Sequence, residues 1–291
     1  MNKIKSFFSL VFRCLGCIIL LLIVISEGWL IYGVRISAEP PVVREYAIES
    51  DKIDESVTLV MLSDLHGCEH PTLTDQIAEI EPDLILMCGD MINHQHETGE
   101  DILITAALVK ELAAIAPVYY SYGNHELERI GLHDSRAVEP IIEAGAILLE
   151  KKYVDIEING NAISIGGIYT PNSAKSKKPD ASTVEGFLSD FTDTAAFTIL
   201  MEHRPAAITD AIIPAGYEPD LALSGHLHGG HVILPFIGPV YGANSGFFPD
   251  YALGKYDIGR TTLIVSAGLS TDRHIIPRIN NPTEIIKITL E

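Results

Sequence analysis

Short apolar runs end abruptly in polar clusters along most of the chain. Val57 to Leu62 runs into Ser63-Asp64-Leu65-His66, Leu84 to Cys88 into Gly89-Asp90, and Val118 to Tyr122 into Gly123-Asn124-His125-Glu126. Phe197 to Met201 leads to His203, and Leu221 to Leu223 to Gly225-His226-Leu227-His228. Runs this short and unbroken read as buried strands. Arg44 to Asp51 reads as a further strand before them. Between the runs, Pro71 to Ile80, Thr98 to Ala114 and His133 to Ala144 carry helical spacing, with Thr72 as a cap and Pro82 as a stop for the first. Such βα units predict a mainly parallel sheet. From Ala146 the pattern changes to short strands, Ala146 to Leu149, Tyr153 to Ile158 and Ala162 to Ile168, with Asn159-Gly160 a hairpin signal. A second, more mixed sheet starts there. Thr183 to Phe191 is predicted helical, and Thr261 to Ser266 and Glu284 to Leu290 complete the strands. Two packed sheets with helices outside both is the architecture expected.

The N-terminal pattern is different. Cys14 to Val34 is apolar apart from Ser26, Glu27 and a few tolerated residues, and 21 residues of helix span roughly 30 Å, the thickness of a bilayer core. Glu27 near mid-bilayer costs roughly 2 to 3.5 kcal/mol, but 12 Leu, Ile and Val residues at about −0.5 kcal/mol each outweigh it. A cleaved signal peptide is the competing reading, disfavoured because the apolar stretch resumes at Trp29 to Val34. The expected division is a basic tail over 1–13, a transmembrane anchor over 14–36, a linker and first strand over 37–56, and a catalytic domain over 57–291. Lys3, Lys5 and Arg13 precede the span, which predicts a cytoplasmic N-terminus and a catalytic body outside the cell membrane.

Charge sharpens this division. Residues 1–35 hold four cations and Glu27, net +3, so a chain total of −19 leaves −22 for the rest. A body that acidic argues against extended nucleic acid as a partner. Small anionic substrates remain compatible, because metal ions outweigh a diffuse negative surface at close range. Of the four cysteines, Cys14 and Cys17 fall in the anchor; Cys68 and Cys88 read as buried free thiols, with a disulfide between them as the alternative.

The polar clusters carry chemistry. Asp, His and Asn are hard oxygen and borderline nitrogen donors, suited to divalent first-row ions and not to a thiolate site. Asp64 and His66 alternate, so on a locally extended backbone they would face one side and grip one ion. Asp90 can offer one oxygen to each of two metals. Taken in order, Asp64-x-His66, Gly89-Asp90-x-x-Asn93, Gly123-Asn124-His125-Glu126, His203 and Gly225-His226-x-His228 resemble the calcineurin-like metallophosphoesterase superfamily. The anchor and the tail Arg278-Ile-Asn-Asn-Pro-Thr-Glu narrow the resemblance to membrane-associated bacterial phosphodiesterases of the YkuE-like group.

The resemblance implies a four-layer αββα sandwich of two mixed sheets and two divalent ions, Mn, Zn or Fe. One ion would be bound by Asp64, His66, Asp90 and His228, the other by Asp90, Asn124, His203 and His226. A hydroxide bridging the ions would attack phosphorus, His125 would donate to the phosphoryl oxygen or protonate the leaving group, and Glu126 would orient His125. Tyr122 and His94 stand where the protein phosphatases of this superfamily carry arginines, which disfavours a protein monoesterase. Arg129, Arg204 and Arg273 are then candidates for a substrate contact, and His94 and His96 weaker ones. The function expected is a membrane-anchored phosphodiesterase, with a lipid or lipid-linked phosphoester as substrate. Alternatives are a phosphomonoesterase, a nucleotide pyrophosphohydrolase or a non-catalytic metal-binding surface protein. The apolar stretch Val232 to Phe248 reads most simply as a hairpin packed on the core, and alternatively as an apolar rim beside the active site.

Overall fold

Alternation within a single strand already sets the layering. In Val57–Leu62, Leu59 and Met61 join one buried cluster while Val60 and Leu62 join another. A strand buried on both faces has no polar side to show, so it reads as a continuous apolar run. The computed structural model describes residues 2–93, 98–132, 134–172, 179–242, 245–271 and 277–291; His94, His96, His133, Arg273 and His274 lie outside the described residues.

In chain order the elements begin with α1 (Asn2–Ser37), β1 (Val42–Ile48), β2 (Val57–Leu62), α2 (Leu73–Ile80), β3 (Leu84–Cys88), α3 (Glu100–Leu112) and β4 (Val118–Ser121). There follow α4 (Asn124–Leu132), α5 (Glu139–Glu143), β5 (Ala146–Leu148), β6 (Lys152–Ile158), β7 (Asn161–Ile168), α6 (Glu185–Thr192), β8 (Phe197–Glu202) and α7 (Pro205–Ala207), which continues as tighter and wider turns to Ala215. Last come β9 (Leu221–Ser224), the short β10 (Ile233–Leu234), β11 (Gly238–Pro239), β12 (Tyr241–Gly242) and β13 (Gly246–Phe247), then β14 (Gly254–Ile258), β15 (Thr261–Val265) and β16 (Glu284–Leu290).

Two six-stranded sheets result, ordered β1-β16-β2-β3-β4-β5 and β14-β15-β9-β8-β7-β6. Both are mixed: β16 is parallel to β1 but antiparallel to β2, and β14 and β6 are antiparallel edges on parallel centres. Leu59, Met61, Ile165, Ile199, Met201 and Ile288 fill the space between the sheets. Val60, Ile85 and Met87 pack outward with Leu73, Ile77 and Val109 of α2 and α3, while Leu200 and Val265 pack outward with Leu188 and Phe191 of α6. This is the expected αββα sandwich.

Differences from the sequence reading are local. The segment Asn124 to Leu132, to which the sequence reading assigns no element, is helical, and the helix expected from His133 to Ala144 shrinks to α5 with Pro140 in its first turn. The edge strand β14 was not anticipated: Gly254-Lys-Tyr-Asp-Ile is half polar and, among the described residues, pairs only with β15. In α1, Phe12–Ser37 is long and apolar enough by length and composition to cross a membrane, and most of its side chains are exposed.

Candidate metal centre

The strand ends of the two sheets meet at one point. The loop after β2 is zipped to the loop after β3: Asp64, His66 and Gly67 donate backbone N–H groups to Gly89 O, Asp90 O and Met91 O at 3.0, 3.1 and 3.0 Å. The loop after β9 is tied to the end of β8 by Gly225 N–H to His203 O at 2.9 Å. His226 N–H then donates to both Asp64 carboxylate oxygens at 3.0 and 3.1 Å, joining one sheet's loop to the other's. A side chain at Gly225 would overlap the Asp64 carboxylate, and one at Gly89 would come within 2.6 Å of Gly123 N.

Asp64, His66, Asp90, His226 and His228 all have positive φ, between 47 and 71°. The expectation that an extended backbone aligns Asp64 with His66 is therefore corrected: both are left-handed, and it is the turn that brings them together. Left-handed backbone at non-glycine residues stores strain that only a heavily bonded surrounding maintains.

Six of the sequence-predicted ligands, and His125, predicted as a proton donor, converge in three groups whose ligating atoms lie within 4.8 Å of one another: Asp64, His66 and His228; Asp90, His203 and His226; and His66, Asp90 and His125. All but His125 are buried. Asn124 and His125 open α4, half-buried at the edge of the same cluster. His125 N–H donates to Asp90 Oδ1 at 2.8 Å, and its Nε2 is 3.9 Å from Asp90 Oδ2.

The donor set asks for cations. The Nδ1–H of His66 donates to Asn93 Oδ1 at 3.0 Å, while the Asn93 amide donates back to His66 O at 2.7 Å. That leaves His66 Nε2 buried with no hydrogen bond, 4.0 Å from carboxylate oxygens of both Asp64 and Asp90. Two lone pairs aimed at each other in a buried site with no proton between them fit a metal ion. Asn124 Oδ1 is a second buried acceptor with no hydrogen bond. His203 Nδ1–H is fixed on Cys88 O at 2.8 Å, which turns Nε2 toward Asp90 Oδ2 at 3.0 Å and Asp64 Oδ1 at 3.7 Å.

Electrostatics agree. Burial drives the imidazoles of His66 and His226 down to about 3. In His203 the same burial is outweighed by the charges of Asp90 and Asp64, which raise it to about 10. Burial lifts Asp64 to about 6, while at Asp90 the burial is outweighed by His203, His125 and His66 together, which hold it well below the usual carboxylate range. A proton on His203 is the least cation that two buried carboxylates can share; divalent ions satisfy them better.

Residues 57–230 match the calcineurin-like phosphoesterase family. The protein is a calcineurin-like phosphoesterase. It is 30% identical over 273 residues to the uncharacterized metallophosphoesterase YkuE of Bacillus subtilis, covering 89% of this chain and 90% of that one. It is 26% identical to a Danio rerio protein named transmembrane protein with metallophosphoesterase domain, over 93% of this chain and 62% of the relative. Phosphodiesterase YaeI of Escherichia coli is 26% identical over 62% of this chain and 63% of its own. Among solved structures, the NAD nucleotidase of Haemophilus influenzae aligns with a TM-score of 0.50 at 14% identity, over 75% of this chain and 51% of that one, a likeness of fold alone. Family membership makes the chain a metal-dependent phosphoester hydrolase.

Several supports of the phosphoesterase site were not anticipated. Glu126 has a role beside the expected orientation of His125. Its buried carboxylate accepts N–H groups from Asp90, Met91 and Gly123 at 2.9, 2.7 and 2.8 Å, clamping the loop after β3 to the loop after β4. Asn281 donates its amide to His228 O at 2.6 Å and His231 O at 3.3 Å. Both partners are far away in the sequence, so spacing gives no hint of them. Of the candidate arginines, Arg129 is buried and braces the loop after Asp90 through Asn93 O at 2.9 Å and Asp101 at 3.3 Å. Arg204 instead lines a cleft of about 590 Å³ with Asn124, Tyr169, His226, Phe248 and Tyr251. Its guanidinium lies 4.4 Å above the Tyr169 ring and donates to Asn172 Oδ1 at 2.7 Å, and its Nε is buried with no hydrogen bond. Cys68 and Cys88 are not joined in a disulfide, and Cys88 donates to Leu223 O at 3.0 Å.

Proposed function

We propose that this protein is a membrane-anchored phosphodiesterase that uses two divalent ions, Mn, Zn or Fe, on a phosphoester carrying an apolar substituent. The observation that carries it is the placement of one cleft between the buried Asp and His cluster and the exposed Phe248. Asp64, His66, Asp90 and His228 would hold one ion, and Asp90, Asn124, His203 and His226 the other. When bound, such ions activate water and neutralise charge on the phosphoryl oxygens.

The chain's own residues supply the remainder. His125 stands at the start of α4, partly exposed beside the Asp and His cluster, where an imidazole would deliver a proton to the leaving oxygen. Its backbone bond to Asp90 fixes its place. Arg204 would hold a non-reacting oxygen through a guanidinium N–H not engaged by Asn172 Oδ1 or Thr170 O, with its stacking on Tyr169 limiting the freedom lost on binding. The wall of Phe248, Pro249 and Tyr251 would take the apolar substituent. Anchoring rests on Phe12–Ser37, with the basic residues before it on the cytoplasmic side.

The test uses the full chain in detergent, stripped of metal and resupplied with Mn, Zn or Fe. Turnover of bis(p-nitrophenyl) phosphate above p-nitrophenyl phosphate, restored by metal, is the expected result. Preference for the monoester would replace the reading by a phosphatase.

A further inference from the structure

The segment from Val232 to Phe248 contains no charged residue, although the body around it carries a large negative surplus. Val240 N–H donates to Val232 O at 2.9 Å and Phe248 N–H to Val240 O at 2.8 Å, so the hairpins β10-β11 and β12-β13 form one small platform. Its tip is Phe236 and Ile237, exposed by 108% and 64%; Phe247 is exposed by 71%. Phe236 and Phe248 also hold φ of 66 and 56°, a region where bulky side chains are disfavoured and turns ordinarily take Gly or Asn. An aromatic side chain at such a position carries strain and exposure together, and at the tip no intramolecular packing offsets either.

The platform is wired to the end of α1. Ile233 N–H donates to Ile279 O at 3.0 Å, and the next residue, Asn280, donates its N–H to Gly33 O at 3.0 Å. Asn281 N–H donates to Ser37 Oγ at 3.0 Å. Gly33 permits the approach, since a Cβ there would come within 2.6 Å of Ile279. Phe236 is three residues beyond Ile233, a reach of at most about 10 Å. The headgroup layer on one side of a bilayer is about 5 to 8 Å thick. A tip so few residues from a strand bonded to the end of the span is within range of the same membrane face.

We propose that Phe236 and Ile237, with Phe247 beside them, form a second membrane contact that seats the mouth of the cleft on the bilayer surface where α1 ends. The occupant of this apolar patch is lipid, argued from its bonded continuity with α1, the absence of charge and the strained exposed aromatics. The proposal deepens the function given above and rests on α1 being a membrane span. Its consequence is that the phosphoester is presented from the lipid surface, entering past Phe248.

The chain has one tryptophan, Trp29, inside α1, which makes a direct test available. The full chain and the double variant Trp29→Phe, Phe236→Trp are each placed in phosphatidylcholine vesicles with and without brominated acyl chains. Fluorescence of both proteins lost to brominated lipid, with the reporter at position 236 shielded from iodide, is the expected result. Quenching of Trp29 alone, with position 236 open to iodide, overturns the second contact and leaves the span standing. Quenching of neither removes the span and this proposal with it. Phe236→Ser with Ile237→Ser gives an independent reading: turnover of soluble bis(p-nitrophenyl) phosphate unchanged, and turnover of a vesicle-borne phosphodiester reduced several-fold. Equal rates on both substrates relative to the parent chain overturn the proposal.

Discussion

The ligand loops and the 232–248 platform bring opposite kinds of strain to the same cleft. In the loops, five left-handed Asp and His residues are held by a dense set of buried bonds: Glu126 alone accepts four loop N–H groups, and His226 N–H locks onto Asp64. On the platform, left-handed Phe236 and Phe248 are exposed. Strain that is bonded from every side sets a geometry for chemistry; strain that is left open points outward to something the chain does not itself contain. The first region should be intolerant of single atoms, the second tolerant of anything apolar.

The largest effect that would test this contrast comes from Asp90→Asn, which weakens the carboxylate shared between the proposed ion sites. Turnover should fall by about 10³-fold or more, with metal content falling in parallel. His125→Ala should lower kcat by about 10² to 10⁴-fold while the purified protein keeps its metal, as mass spectrometry of the native protein would record. Glu126→Gln removes charge from the clamp but not its shape, and about 10 to 100-fold weaker metal affinity is expected in a competition titration. Unchanged affinity would mean that the loops are less tightly determined than the bonding implies. Arg204→Ala should raise KM about tenfold with kcat little altered, the signature of a lost contact made equally in ground and transition states. Smallest is Phe247→Ser with Phe248→Ser, for which soluble diester turnover should fall less than about threefold and lipid diester turnover more. Equal losses on the two substrates would erase the distinction between the regions.

Legibility in the sequence divides along the same line. The strands that carry ligands announce themselves because they are buried on both faces, and their clusters follow at once: β2, β3, β8 and β9 lie where the apolar runs place them. The direction of β16, parallel to β1 and antiparallel to β2, is set by pairings far apart in the chain and leaves no local mark. Asn124 illustrates a subtler loss: Gly123-Asn124-His125-Glu126 is read for its chemistry and not as the start of a helix, whereas Glu126, anchored on the loop after β3, holds the first turn of α4 in place. Asn281 supports the His228 loop from 53 positions away, beyond the reach of any spacing argument. The hairpins of the 232–248 segment were legible as hairpins, but the simpler expectation of a hairpin packed on the core does not hold at Phe236, Ile237 and Phe247, which are exposed.

The place of β16 bears on how the molecule is made. It lies between β1 and β2, and Glu284 at its start receives Arg44 of β1 at 2.7 Å and Ala267 N–H at 2.8 Å. A chain being synthesised therefore emerges with β1 unpartnered and one edge of β2 open, an invitation to wrong pairing until β16 arrives. The strand that carries Asp64 at its end gains its second neighbour only after the other described strands have left the ribosome, so the Asp and His cluster should close late in synthesis.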